Sequence, residues 1–299
     1  MHTIRSIAEL RAALAGPRRD GRVIGLVPTM GALHAGHLSL IREARRRCDV
    51  VVVSLFVNPA QFNDAGDLAV YPRDEERDAA QAAGLGADYL FAPPVEEVYP
   101  VGFATTVSVS GLTEDLEGAS RGRGHFDGVT TVVAKLFNMV SPDVAYFGQK
   151  DAQQALVIRR LVRDLDMAVR SEVCPTVREA DGLALSSRNA HLSPADRVRA
   201  TALHRALAAV QDAVTDGERD PAALRARAYA ELQAAAIDPD YFELVSTDTL
   251  APVSRIDGAV LAVLAADVGG TRLIDNQLIQ PSLNHHREVA TPLRAPTTA

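Results

Sequence analysis

Cysteine is scarce in this chain: Cys48 and Cys174 are the only two, far apart and with no other Cys or His at metal-ligand spacing. That excludes a disulfide framework and gives no zinc signature, so both are expected as buried free thiols. Long apolar runs are also missing. None approaches the roughly 20 residues needed to span a bilayer, which argues against membrane insertion. Met1–Ser6 lacks the basic flank and apolar stretch of a secretory signal, so the expectation is mature sequence and a cytoplasmic location. Nor is there a surplus of positive charge: 31 basic against 38 acidic side chains leave a net −7. A general nucleic-acid binder is disfavoured, and any positive site must be local. What is present, 47% apolar and 23% charged residues over 299 positions, is the composition of a globular protein long enough for two domains.

Strand and helix patterns alternate through the first half of the chain. The spacing of Ile4, Ile7, Leu10 and Leu14 predicts a short helix that Gly16-Pro17 breaks. Val23–Val27 then reads as a strand, His37–Arg47 as a helix, and Val50–Val57 as a strand apolar on both faces. A turn at Asn58–Phe62, a helix over Pro72–Ala83 and a strand at Tyr89–Phe91 follow. Further strands are expected at Thr105–Val109, Val144–Phe147 and Ala168–Val173, with helices over Gly128–Val140 and Ala152–Leu165. This order predicts a doubly wound parallel α/β sheet with ligands at the carboxyl ends of its strands. Near Pro175 the texture changes. Asp181-Gly182 reads as a hairpin turn, Pro194–Val214 and Pro221–Ala236 as helices, and Tyr241–Val245, Ala259–Ala265 and Thr271–Ile274 as strands. The expectation is therefore a first domain over 1–175, a smaller α+β domain over 176–280, and a frayed tail over 281–299 in which the pair His285-His286 is not read as a metal site.

Chemistry concentrates where strands give way to helices. Pro28–His37 leaves a strand and enters a helix with two histidines, His34 and His37, and two glycines, Gly31 and Gly36, that let backbone approach a ligand. Free helical N–H groups there attract anions, and an imidazole can donate to charge developing on a phosphate. A histidine pair alone is more often structural than catalytic; its place in a Gly-containing strand-to-helix loop reverses that, and a second cluster supplies the missing partners. Phe147–Asp151 also leaves a strand for a helix, with Lys150 as a point charge for phosphate and Asp151 as an N-cap or a ribose acceptor. Ser186-Ser187-Arg188-Asn189 adds two hydroxyls and a cation with no adjacent acid, though an ordinary polar loop looks the same. Gln61 and Gln154 are neutral amides that donate and accept together. Gly118–His125, with Arg121 and Arg123, reads as a Gly- and Arg-rich loop able to close over acid groups.

Pro28–His37, Phe56–Phe62, Phe147–Gln154, Arg178–Asn189 and Leu273–Asn276 stand in one order along the chain, and together they are similar to the signature blocks of the pantothenate synthetase family, the pantoate–β-alanine ligases. That family belongs to the nucleotidylyltransferases with a His-x-Gly-His element. The resemblance implies a homodimer of subunits with a Rossmann-like N-terminal domain and a smaller C-terminal one, the site lying between them. It implies an AMP-forming ligase that uses ATP and Mg²⁺ to join pantoate to β-alanine through a pantoyl adenylate, releasing pyrophosphate. By the same resemblance Met30, Gly31, Ala32, Leu33, His34, Ala35, Gly36 and His37 bind ATP, with His37 as proton donor. Gly148, Gln149, Lys150, Asp151, Val177, Leu185, Ser186, Ser187 and Arg188 complete the nucleotide site; Lys150 and Arg188 join the histidines in catalysis. Gln61 serves pantoate and β-alanine, and Gln154 serves pantoate. Gln149 stands where many members have Glu, and Leu185 where many have Met. Two alternatives stay open: a transferase that leaves a nucleotidyl group on a phosphorylated acceptor, and a non-catalytic nucleotide sensor.

Overall fold

The computed structural model describes residues 1–62 and 65–281. Its first half runs β1 (His2–Ile4), α1 (Ile7–Arg19), β2 (Ile24–Thr29), α2 (Ala35–Arg47), β3 (Val50–Leu55), α3 (Ala65–Val70), α4 (Glu75–Gly84), β4 (Tyr89–Phe91), α5 (Val95–Val98), α6 (Glu117–Arg121), α7 (Arg123–Val140), β5 (Val144–Gly148), α8 (Ala152–Asp164) and β6 (Arg170–Cys174). The six strands form one parallel sheet in the order β1-β4-β3-β2-β5-β6. The chain builds outward from β2 to β3 and β4, then crosses back to place β5 on the other side of β2. Strand order therefore reverses between β2 and β5, the position at which an open α/β sheet leaves a crevice at its carboxyl edge. Valines fill β3 because both faces are covered: Val50 and Val52 pack with α1 and α7, Val51 and Val53 with α2.

The rest of the described chain runs α9 (Pro194–Ala200), α10 (Ala202–Thr215), α11 (Pro221–Ala234), β7 (Pro239–Ser246), β8 (Val260–Val268) and β9 (Thr271–Ile279). The three strands make an antiparallel sheet, β7-β8-β9, with α10 and α11 on one face around a core that includes Leu207, Val210, Phe242 and Leu264. A separate apolar cluster joins the two sheets: Leu112, Phe126 and Val157 meet Val245, Leu250, Leu261 and Val263. The hairpin at Asp181-Gly182 is present, closed by an Arg178–Ala184 bridge. Both cysteines are free and buried.

Several expectations need correction. Gly16-Pro17 does not end α1, which runs through Pro17 to Arg19. The proline falls in the last turn, and the complete burial of Leu10 and Leu14 outweighs one missing bond. Ile4 belongs to β1, an edge strand too short to show a periodicity. Thr105–Val109 has no strand partner among the described residues; Val107 N–H donates instead to Thr131 Oγ1 of α7 at 2.9 Å. Gly118–His125 is not a loop but α6 and the first turn of α7, parted at Gly122. The long helix expected from Pro194 is two, divided at Thr201, and the last strand extends five residues beyond Ile274. Residues 282–299, which include the histidine pair of the expected tail, lie outside the described residues.

Candidate active site

At the β2/β5 reversal a cleft of about 840 Å³ opens, within the range of small-molecule sites. The loop after β2 contributes Met30, His34, Gly36 and His37 to its wall, and the turn after β5 contributes Gly148, Lys150 and Asp151. Gln61 and Gln154 line it as well. From beyond β6 come Val177, Leu185, Ser186, Ser187 and Arg188, so segments more than a hundred residues apart share one cavity. Gly31, Ala32, Leu33, Ala35 and Gln149 are not on that wall. Gly31 and Leu33 are buried, and Leu33 packs in the core between the sheet and α2. Gly31, Ala32 and Leu33 shape the loop after β2, whereas Ala35 opens α2 and Gln149 follows β5.

The two imidazoles are arranged by the first turn of α2. His34 is its N-cap: Nδ1 accepts the N–H of Gly36 at 3.2 Å, while Nδ1 of His37 accepts the N–H of His34 at 3.4 Å. Their rings lie 4.1 Å apart, tilted by 36°. A side chain at Gly36 is excluded, because a Cβ there would meet His34 Cε1 at 2.9 Å. With Nδ1 accepting in both rings, each carries its proton on Nε2. Burial lowers the pKa of His37 to about 4, with the neighbouring His34 adding to the shift. Burial and then Lys150 lower that of His34. Both are neutral at pH 7, a pair of N–H donors.

Positive charge comes from elsewhere. Lys150 is largely buried and 3.9 Å from Asp151. Asp151 sits at the start of α8 but makes no capping bond with its side chain, so of the two roles read from the sequence the cap is not the one adopted. Arg188 is exposed on the cleft wall, its guanidinium makes no ion pair or side-chain hydrogen bond among the described residues, and partial desolvation and then Arg121 disfavour its charged form. A cation left in that state is poised for an anionic ligand.

Gln61 is held in a 3₁₀ turn over Pro59–Gln61 that lies directly on α7. Asn58 Nδ2 donates to Gln61 Oε1 at 2.9 Å and to the Gly128 carbonyl at 3.0 Å, and Tyr99 in turn donates to Asn58 Oδ1 at 2.8 Å. Gly128 makes this contact possible, since a Cβ would stand 2.3 Å from the Ala60 carbonyl oxygen. Gln61 lines the cleft, and its amide nitrogen makes no hydrogen bond among the described residues. His125 Nδ1 lies 2.8 Å from the Gln61 carbonyl and helps fix the turn. Gln149 has a definite role despite the departure noted in the sequence: its amide donates to Asn276 Oδ1 at 2.9 Å, and Asn276 donates back to the carbonyls of Gln149 and Lys150. A glutamate at 149 would offer Asn276 no donor.

Three features escaped the sequence reading. Asp78 of α4 accepts backbone N–H bonds from Ala32 and Leu33. Glu117 of α6, 6% exposed, holds Arg272 of β9 in a two-bond pair at 2.7 and 3.0 Å, Arg121 at 2.9 Å and the Tyr241 hydroxyl at 3.1 Å. Arg178 and Asp275 pair at 2.6 Å, anchoring the 178–184 hairpin to β9. Acidic residues in a first helical turn, as Asp78 and Glu117, or in a strand, as Asp275, carry no sequence mark that distinguishes burial from exposure. Among the described residues no three His, Cys, Asp or Glu side chains form a metal-binding group.

A family model described as Pantoate-beta-alanine ligase matches residues 2–278. The chain is 56% identical to pantothenate synthetase of Moorella thermoacetica over 281 residues, 94% of this chain and 99% of that one. It is 55% identical to the Cereibacter sphaeroides protein of the same name over 91% and 98%. The structure superposes on pantothenate synthetase of Thermus thermophilus with a TM-score of 0.88 at 49% identity, covering 94% of this chain and all of that one. Pantoate–β-alanine ligase of Francisella tularensis, complexed with beta-gamma ATP and β-alanine, gives 0.76 at 34% identity over 93% and 97%. The chain belongs to the pantoate–β-alanine ligase family of enzymes.

Proposed function

We propose that this chain joins pantoate to β-alanine at the cleft between β2 and β5, using ATP and passing through a pantoyl adenylate. The observation that carries the reading is the meeting, around one cavity, of two neutral imidazoles, Lys150, an unpaired Arg188 and the amides of Gln61 and Gln154. In the first step a pantoate carboxylate oxygen attacks the α-phosphorus of ATP and pyrophosphate leaves with the electrons of the broken P–O bond. In the second, the neutral amine of β-alanine attacks the acyl carbon, AMP departs, and the amine loses a proton. A carboxylate is a poor acyl donor until it carries that phosphate. Neither step needs a covalent bond to the protein. Positioning and fixed donors suffice, which is what the chain supplies.

His34 and His37 donate Nε2–H to phosphate oxygens. His37, neutral at pH 7, then fills the proton-donor place that the resemblance implied through its Nε2–H bond. Lys150 and Arg188 neutralise the triphosphate, Ser186 and Ser187 add hydroxyl donors, and the turn at Gly148–Asp151 offers backbone N–H groups. Gln61 and Gln154 orient the acid through its hydroxyl and carboxylate. The donor set fits a Mg²⁺ ion held mainly by phosphate oxygens, with Asp151, half-exposed and uncapped, as the available carboxylate; the ion would add charge neutralisation there. The wall at Gly118–His125 is already in place and is tied through Glu117 to Arg272 of the second sheet, so shielding from water falls to the cleft walls as they stand rather than to a closing loop. We further read 1–175 and 176–280 as two domains of a cytoplasmic homodimer, an assembly that sedimentation checks.

Pantoate-dependent exchange of pyrophosphate into ATP, followed by AMP release on adding β-alanine, tests the reading. Exchange that requires a phosphorylated alcohol instead would assign the site to a transferase. ATP binding without exchange would make it a sensor.

A further inference from the structure

Asp78 is 1% exposed, and no cation pairs with it among the described residues. Its carboxylate is spent on backbone: Oδ2 accepts the N–H of Ala32 and Oδ1 that of Leu33, both at 2.8 Å. A buried carboxylate is tolerated only where its oxygens are bonded, and such charge-assisted bonds are strong and directional. The turn they clamp is not one that the chain adopts unaided. Gly31 has φ +92° and Ala32 φ +52°, and an alanine in the left-handed region must be held there by its surroundings. From that turn the connection to the imidazoles is direct. Leu33 inserts into the core, the next N–H belongs to His34, and it donates to Nδ1 of His37.

We propose that Asp78 is a positioning residue: by gripping two consecutive backbone N–H groups from α4, it sets the loop so that both imidazoles use Nδ1 as acceptors and present Nε2–H to the cleft. The geometry rests on the loop alone, and only its consequence for turnover rests on the function proposed above. Asp78 lies outside every motif of the chain read as functional, and it touches no part of the cleft.

The test is Asp78→Asn in the full chain, which keeps the shape but sets an amide N–H₂ against a backbone N–H. Nitrogen NMR of ¹⁵N-histidine-labelled protein reads tautomer and titration of each ring, with His125 and His204 as internal controls. The expected result is a protein that still folds, shifted or broadened His34 and His37 signals, unchanged controls, and pantoate-dependent exchange slowed about 10- to 100-fold. Lower stability with unmoved His34 and His37 signals and a normal rate below the melting temperature would overturn the proposal. Moved signals in the variant, with no exchange in the parent protein, would uphold Asp78 and sink the proposed reaction. Should the variant not fold, the parent protein decides: Ala32 and Leu33 amides must be protected from hydrogen exchange and both Nδ1 atoms unprotonated at pH 7, and rapid exchange at those two amides overturns the proposal.

Discussion

A histidine that is neutral at pH 7 serves phosphate chemistry by the direction of its N–H bond, and that has consequences for single residues. Removing one preorganised donor typically costs about 2.7–4 kcal/mol of transition-state stabilisation, so His37→Ala should slow adenylation by 10²–10³-fold while leaving the fold intact. Single-turnover formation of AMP from ATP, pantoate and β-alanine checks this; a near-normal rate removes His37 from the mechanism. Gln154→Ala should act on the acid substrate instead, raising the pantoate KM while the ATP KM stays within a few-fold, as steady-state titration of each substrate reads. At this scale the motif histidines and Lys150 were legible as cleft residues from their type and strand-end position, and Arg188 as a cation with no adjacent acid. Asp78 and Glu117 were not, for although Arg121 stands four positions from Glu117, the partners Ala32 of Asp78 and Arg272 of Glu117 lie 46 and 155 positions away, and nothing local to a carboxylate reveals a partner at that distance.

Elements were legible wherever a run of apolar residues was long enough to have a period. β2, β3, β5 and α8 stand close to where their patterns set them, and the β2/β5 reversal that opens the cleft follows from their order. The misreadings share one cause, which is tertiary contact overriding local preference. Thr105–Val109 has the residues of a strand but meets hydroxyls of α7, and the glycines near α6 suggested a loose segment that Glu117 and Gln153 in fact tie down. Gln153 accepts the Glu117 N–H at 3.0 Å and donates to the carbonyls of Leu112 and Asp115. The contact of α7 with the Pro59–Gln61 turn makes a prediction of its own. Gly128→Ala must push that turn away from the helix, so Gln61 moves while the nucleotide side of the cleft does not. The pantoate KM should rise about tenfold or more, in keeping with the cost of a misplaced positioning group, with little change in ATP affinity measured by calorimetry.

Across the whole molecule, the two sheets are joined by the apolar cluster around Phe126 and Leu261 and by the charges around Glu117, and acid should take the structure apart in two separable stages. His37, buried with a pKa near 4 against 6.5 in an open chain, resists a proton that the unfolded chain accepts. Its contribution is complete above pH 6.5 and is lost as pH falls to about 4, roughly 3 kcal/mol by linkage. Burial alone would raise the Glu117 carboxyl, but bonds from Arg272 and Arg121 hold it at about 2. Its contribution is complete above 4.5 and is lost as pH falls to about 2. Urea unfolding at a series of pH values should therefore show stability declining first between 6.5 and 4, then again below 4.5. His37→Ala should remove the part of the upper decline that His37 causes and leave the lower one. Glu117→Gln should do the reverse, and at neutral pH should cost about 1–3 kcal/mol, because Arg272 keeps Asp240 at 2.7 Å but loses its charge-assisted bonds to the buried carboxylate. The two variants separate the loop that faces phosphate from the joint between the sheets. If Glu117→Gln instead left neutral-pH stability intact, the apolar cluster and the Gln149–Asn276 bonds would be what holds the sheets together.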